Sequence, residues 1–271
     1  MTSSPPRPTP NRDVNTAVHA LLAGAEEILG ERFVGLYLHG SLAAGDFIPG
    51  RSDIDFLVVT DGDMSDEAVA ALKAMHAGLL ASDLPMAAEL EGSYIPRAAL
   101  RCYDVAHARH PHIESGGGTL RVEQHDADWV VQRHVLREHG ITVVGPPIDS
   151  LIDAVEPDEL RQAVVDLVHS WWAPMLDNPA KLRRGDYQAY AVLTMDRILY
   201  TLEHGTVVSK PVAARWARRT VARHWAGLID RALAGDLGAP LETLDEARDF
   251  IRYTAEQCER WRRAGQGPEG S

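Results

Sequence analysis

Two aspartates one residue apart, Asp53 and Asp55, open an apolar run that continues through Phe56-Leu-Val-Val-Thr60. Side chains two apart on a strand point to the same face. Both carboxylates therefore lie side by side, in a row with Leu57 and Val59, while Ile54, Phe56 and Val58 take the opposite face. A strand apolar in both rows is covered on both sides. Neighbouring carboxylates repel unless a cation lies between them. Mg²⁺, a hard ion that prefers oxygen and is commonly shared with substrate phosphates, meets that need. Gly40 and Ser41 stand a short spacer upstream. Glycine there lets the backbone turn closely. A backbone N–H and the Ser41 hydroxyl could hold phosphate oxygens, most readily if a short helix begins at Ser41. The plainer alternative is a turn whose acids are merely solvated. The coincidence of Gly40-Ser41, Gly45, Ser52-Asp53 and Asp55 at the head of an apolar strand argues against it.

A third acid is expected from the stretch Met86–Pro96, which alternates as a strand and sets Glu89, Glu91 and Ser93 on one face. A neighbouring strand could bring one of these glutamates beside Asp53 and Asp55, as metal ligand or as general base for an acceptor hydroxyl. A solvated acidic face is the alternative. His107, His110 and His112 fall in a Pro-containing stretch with no cysteine pattern, so zinc is not expected there. Gly116-Gly117-Gly118 lacks the Gly-Lys-Ser/Thr of a phosphate loop and reads as a flexible surface loop.

The elements that must position these residues follow from periodicity and caps. Val14, Val18, Leu21, Leu22, Ala25, Ile28 and Leu29 have helical spacing that ends at Gly30, before a strand over 33–39. Ser65 caps a helix to about Leu80, with Asp66 and Glu67 in its first turn. Beyond Pro96 the pattern weakens until a helix over 126–138 and a short strand over 141–144. Gly145-Pro146-Pro147 begins a boundary, and after it strand signals stop. Helices are expected from Glu156 to the Trp171-Trp172 pair, over 186–203, from Ser209 and from the capping box Thr243-Leu-Asp-Glu246. The fold class is thus α+β: a mixed β-sheet flanked by helices over 12–155, and an α-helical bundle over 156–264. Residues 1–11 and 265–271 read as disordered tails.

Composition narrows the class. The 271 residues, 45% apolar and 24% charged, suit an ordinary globular protein. A net charge of -12 speaks against a nucleic-acid partner and favours a cationic one. Cys102 and Cys258 are far apart and read as reduced thiols of a cytoplasmic protein. No apolar run is long enough for a membrane span, and the N-terminus lacks a signal-peptide core.

Gly40-Ser41, eleven intervening residues and Asp53-Ile54-Asp55 running into an apolar strand resemble the nucleotidyltransferase superfamily typified by DNA polymerase beta. The form Gly-Ser-x-x-x-Gly…Ser-Asp-Ile-Asp is similar to its small antibiotic-modifying branch. A second resemblance lies in Ala191-Val-Leu-Thr-Met-Asp-Arg-Ile-Leu-Tyr200, Gly205, Ser209-Lys210-Pro211 and His139–Pro146. These are similar to bacterial aminoglycoside adenylyltransferases of the streptomycin/spectinomycin type, loosely over most of 30–265. The resemblance implies O-adenylylation of an aminocyclitol antibiotic with ATP and Mg²⁺. It implies Asp53 and Asp55 as metal ligands, Glu91 as base and further ligand in preference to Glu89, Gly40, Ser41 and Ser52 at the phosphates, and Lys210 reaching the triphosphate. Arg197 could pair with a phosphate, or with Asp196 or Glu203 on its own helix. The segment Trp172–Tyr190 is longer than its family counterpart. Asp177, Asp186 and Tyr187 are its candidate cation or hydroxyl contacts, and none is carried over from the family pattern. The expected partners are ATP and a cationic small-molecule acceptor, for a monomer that binds neither nucleic acid nor membrane. Two rivals stand beside this reading: a toxin-type enzyme that modifies a protein or tRNA, and a catalytically silent nucleotide-binding regulator.

Overall fold

A computed structural model describes residues 7–221, 223–235 and 243–265. The chain divides into two compact units, Met1–Ala154 and Val155–Ser271.

The first unit begins with α1, Arg12–Leu29. Asn11 caps it, its side-chain oxygen accepting the N–H groups of Asp13 and Val14 at 2.9 and 3.1 Å. Thr9 is buried and its hydroxyl bonds Asn15 at 2.9 Å. Residues 9–11, read above as tail, therefore belong to the helix cap, because their polar groups satisfy donors that the first turn leaves open. Gly265, read as the start of the other tail, is the last residue of a helix, and 1–6 and 266–271 lie outside the described residues.

Strand β1, Phe33–Leu38, leads into the five-residue helix α2, Gly40–Ala44, and a loop returns the chain as β2, Ile54–Thr60. Helix α3, Asp66–Ala81, follows, capped by Ser65 on the N–H of Ala68 as its sequence predicts. Strand β3 then runs from Leu90 to Pro96. It is shorter than expected. Met86 adopts a left-handed φ of 60° and Ala87–Glu89 forms a 3₁₀ turn, so the alternation before Leu90 never becomes strand.

Helix α4, Arg97–Arg101, precedes two strands that sequence periodicity misses, β4, Arg109–Ile113, and β5, Arg121–Gln124. β4 reads Arg-His-Pro-His-Ile and β5 Arg-Val-Glu-Gln, so neither shows the apolar alternation of a half-buried strand. Helix α5, Asp128–His139, and β6, Ile141–Val144, complete the unit. The sheet order is β5-β4-β3-β2-β1-β6, and β2 with β3 is the parallel pair of this mixed sheet.

Both faces are covered. Ile54, Phe56 and Val58 pack with Val14, Val18 and Leu21 of α1 and Leu72 of α3. Leu57 and Val59 pack with Tyr37, Ile95, Leu100 and Trp129. Full burial of each such side chain contributes about 1.5–3 kcal/mol, which holds the register of β2 and therefore the direction of Asp55.

The second unit is helical: α6, Pro157–Leu167; α7, Pro174–Asp177; α8, Gly185–His204; α9, Lys210–Thr220; α10, Ala226–Ala234; α11, Leu244–Gly265. Helix α8 is its axis and packs against α6, α9, α10 and α11. Between α6 and α7 a π-type turn, Val168–Trp172, buries Trp172 and leaves Trp171 43% exposed. No helix among the described residues is long and apolar enough to cross a membrane.

Candidate active site

The sheet register assembles the carboxylates. In the parallel pair, Asp55 lies directly opposite Glu91, on strands separated by about 4.8 Å. Asp53 immediately precedes β2 and falls two residues from Asp55. All three side chains are partly exposed, so solutes can reach them. Burial raises the carboxyl pKa of Glu91 above its usual range, and the charges of Asp55 and then Asp53 push it the same way. Hydrogen bonds from Ser115 oppose the shift. The three acids thus share one electrostatic neighbourhood. No group of three or more His, Cys, Asp or Glu among the described residues stands at metal-binding spacing, so the acids form an open set rather than a closed cage. Glu89, expected on the same strand face, sits in the 3₁₀ turn with its N–H bonded to the carbonyl of Met86 at 3.2 Å.

Gly40 makes room for this arrangement. A β-carbon at that position would stand 1.9 Å from Oδ2 of Asp55, and the residue adopts a φ of +57°. The backbone therefore cradles the carboxylate only where no side chain exists. The N–H of His39 donates to the carbonyl of Asp55 at 3.1 Å, fixing the turn to β2. Ser41 carries a buried hydroxyl with no partner among the described residues. Ser52 closes the loop between α2 and β2: its hydroxyl accepts the N–H of Ile48 at 3.0 Å, and its own N–H donates to the carbonyl of Ile48 at 2.9 Å. The Ser52 hydroxyl hydrogen takes no part in either bond. Hard carboxylate oxygens beside a side-chain-free turn and an unpaired hydroxyl fit a Mg²⁺–triphosphate group.

A polar platform continues the same face, and sequence reasoning missed it. Ser93, two residues after Glu91, bonds Nδ1 of His112 at 2.8 Å and Nε2 of His125 at 3.3 Å. His125 stacks on Trp129 at 4.0 Å. Burial pushes His39 and His110 down to about 4 and His125 to about 3, so these rings are neutral at pH 7. The signal lay in the repeated histidines of a strand too polar to be recognised as one.

The candidates of the second unit gather on α8. Asp186, Tyr190 and Arg197 fall on one stripe at helical spacing, and Tyr187 stands three residues before Tyr190 beside that stripe. Lys210, the first residue of α9, places its ammonium 4.8 Å from the ring centre of Tyr190, a cation–π contact. Tyr187 lies 5.5 Å from Tyr190 and 6.1 Å from Trp172. Asp186 is ion-paired with Arg184, whose hydrogen bonds hold its carboxyl below the usual range. Asp177 ends α7, exposed and in no ion pair among the described residues. The suggested Arg197–Asp196 pair does not form. Asp196 is fully buried, neither oxygen has a partner among the described residues, and burial pushes its pKa up to about 8.

A mixed sheet with paired acids after a glycine-serine turn, a third acid on the adjoining strand, and a separate helical unit define a nucleotidyltransferase. The comparisons refine that class. A nucleotidyltransferase domain model matches residues 22–90, and the model of the aminoglycoside adenylyltransferase C-terminal domain matches 150–260. The chain is 25% identical over 256 residues to an aminoglycoside (3'')(9) adenylyltransferase of Escherichia coli, covering 89% of this chain and 93% of the relative. It is 24% identical to a spectinomycin 9-adenylyltransferase of Campylobacter jejuni, covering 89% and 94%. The fold matches the crystal structure of a spectinomycin adenyltransferase, AAD(9), of Enterococcus solved with ATP and spectinomycin. Its TM-score is 0.70 at 17% identity, covering 90% of this chain and 98% of that one. The chain thus joins a nucleotidyltransferase domain to an aminoglycoside adenylyltransferase C-terminal domain, as an aminoglycoside adenylyltransferase does.

Proposed function

We propose that the protein transfers AMP from ATP to a hydroxyl of spectinomycin, streptomycin or both, and releases pyrophosphate. The observation that carries this reading is the Asp55–Glu91 register beside Asp53. The acceptor hydroxyl attacks the α-phosphorus, the new O–P bond forms in line, and the bond to pyrophosphate breaks. Glu91 takes the hydroxyl proton, as the solute-accessible acid that stands opposite Asp55 in the sheet. Asp53 and Asp55 would hold Mg²⁺, which when bound polarises the triphosphate and lowers the hydroxyl pKa; Glu91, expected as base and further ligand, is kept here for the proton. Gly40, Ser41 and Ser52 supply backbone and hydroxyl donors to phosphate oxygens. Lys210 and Arg197 supply cations for the triphosphate, and Asp186, Tyr187 and Asp177 supply carboxylates and a ring for a cationic polyol. ATP as donor and two free cysteines are the support for a cytoplasmic setting.

Pyrophosphate release from ATP and Mg²⁺, measured with spectinomycin, streptomycin and bulk tRNA in turn, tests the proposal. Release is expected with at least one of the antibiotics. Release with tRNA alone would hand the site to the rival reading. Asp53→Ala is expected to lower turnover by at least roughly 10²–10³-fold, the size of losing a main electrostatic stabiliser; near-normal turnover would end the metal assignment.

A further inference from the structure

Glu91 has two carboxylate oxygens, and the structure treats them differently. Oε2 accepts the hydroxyl of Ser115 at 3.0 Å and the backbone N–H of the same residue at 3.3 Å. Oε1 accepts no hydrogen bond among the described residues. Ser115 comes from the turn between β4 and β5, 24 residues further along the chain. The glycine run after it shapes that turn. Gly116 and Gly117 adopt φ of +77° and +85°, a region that side chains strain. A β-carbon on Gly118 would stand 2.5 Å from the carbonyl oxygen of Glu114. The N–H of Gly116 donates to the carbonyl of Ala88 at 2.7 Å, tying the turn to the segment just before β3. The loop therefore grips the chain at residue 88 and again at Glu91. Its glycines, expected to be a loose surface feature, serve a fixed reversal.

The geometry assigns Ser115 as the positioning residue of the base: its two donors fix Oε2 and so leave Oε1 to take the acceptor's proton. This rests on the reading of Glu91 as base and adds which oxygen acts and what orients it. In the step, the acceptor O–H proton passes to Oε1, the acceptor oxygen bonds the α-phosphorus, and pyrophosphate leaves with the electron pair of the broken P–O bond. A bracket of this kind changes how often the base points correctly. It does not change how ATP or the acceptor is bound. The same turn holds the strand that carries the base, so the device is local to β3, β4 and their connection.

The test uses the full chain and steady-state kinetics with ATP, Mg²⁺ and whichever antibiotic supports turnover. Ser115→Ala is expected to lower kcat roughly 10–100-fold, the usual cost of losing a supporting partner of a site residue, while KM for ATP and acceptor stays within about two-fold. Ser115→Thr keeps the hydroxyl and is expected to restore kcat to within about three-fold of the parent. In a Glu91→Gln background, Ser115→Ala is expected to add no further loss to the residual turnover, because the group it orients no longer acts. Unchanged kcat in Ser115→Ala, a Thr variant no better than Ala, or an undiminished Ala effect on top of Glu91→Gln each overturns the assignment and leaves the base reading standing. Parent-like turnover in Glu91→Gln alone overturns both, so the two failures are distinct.

Discussion

At the scale of single residues, the site is arranged by what is absent as much as by what is present. Gly40 illustrates this: an added methyl would lie within covalent range of the Asp55 carboxylate, and the backbone there is left-handed. Gly40→Ala is therefore expected to displace Asp55 or the turn. Turnover should fall by roughly two orders of magnitude, as for a small misplacement of reacting groups. A strain of about 1–3 kcal/mol should appear as a lower thermal midpoint. A fully active, equally stable Ala variant would show that the cradle has slack. The pair Glu89 and Glu91 offers a cleaner contrast. Glu91→Gln removes the proposed proton acceptor while keeping its shape and should spare ATP binding, measured by calorimetry, while cutting turnover. Glu89→Gln, on the 3₁₀ turn outside β3, should leave turnover near the parent value. The reverse outcome would mean that the strand register in solution differs by two residues. Asp53 and Asp55 could be read from sequence because their spacing is local, whereas the strand alternation left Glu89 and Glu91 open and the preference for Glu91 came from the family resemblance. Ser115 could not: its contact with Glu91 spans a turn and two strands whose sequences are too polar to announce themselves.

At the scale of elements, periodicity was a good guide wherever burial is one-sided or complete. The two apolar rows of β2 separate into the two cores as its alternation requires, and α1 buries the stripe that its spacing marks out. It failed where other demands prevail. β4 holds a proline and two histidines because its inward positions serve a polar platform. Met86–Glu89 alternates but turns, because Met86 adopts a left-handed backbone. Helix α8 poses the sharpest conflict between element and residue, since Asp196 places an unpartnered carboxyl in its buried face. The folded chain keeps that group protonated up to about pH 8, whereas the free side chain ionises near 3.8. Between those values unfolding releases a proton. Stability therefore falls as pH rises, by about 1.4 kcal/mol per unit for one group, and levels off above the folded-state value. Asp196→Asn cannot ionise. Its thermal midpoint should match the parent's near pH 4.5 and exceed it clearly at pH 8. A gap that stays constant with pH would mean that Asp196 finds a charged partner in solution.

At the scale of the whole molecule, charge is distributed unevenly. Residues 1–154 hold 22 acidic against 11 basic side chains, and residues 155–271 hold 17 against 16. Nearly all of the net -12 therefore belongs to the unit that carries Asp53, Asp55 and Glu91. Solubility alone would be served by acids spread over the whole chain, so the asymmetry bears on the two substrates. They carry opposite charges: an aminocyclitol acceptor is a cation, and Mg²⁺-bound ATP is still an anion. A negative field draws the first and repels the second, and salt screens both effects over about 10 Å at 0.1 M. Raising ionic strength from about 0.05 to 0.5 M should lower kcat/KM for the acceptor roughly 3–10-fold, mainly through KM, while kcat/KM for ATP holds steady or rises. The opposite signs matter, because a general salt effect on the fold or on Mg²⁺ activity would move both constants the same way. Parallel loss of both would remove steering from the account. A salt-insensitive acceptor constant would make the charge of this unit a matter of holding metal and staying soluble, with acceptor selection left to the aromatic and acidic side chains of α8.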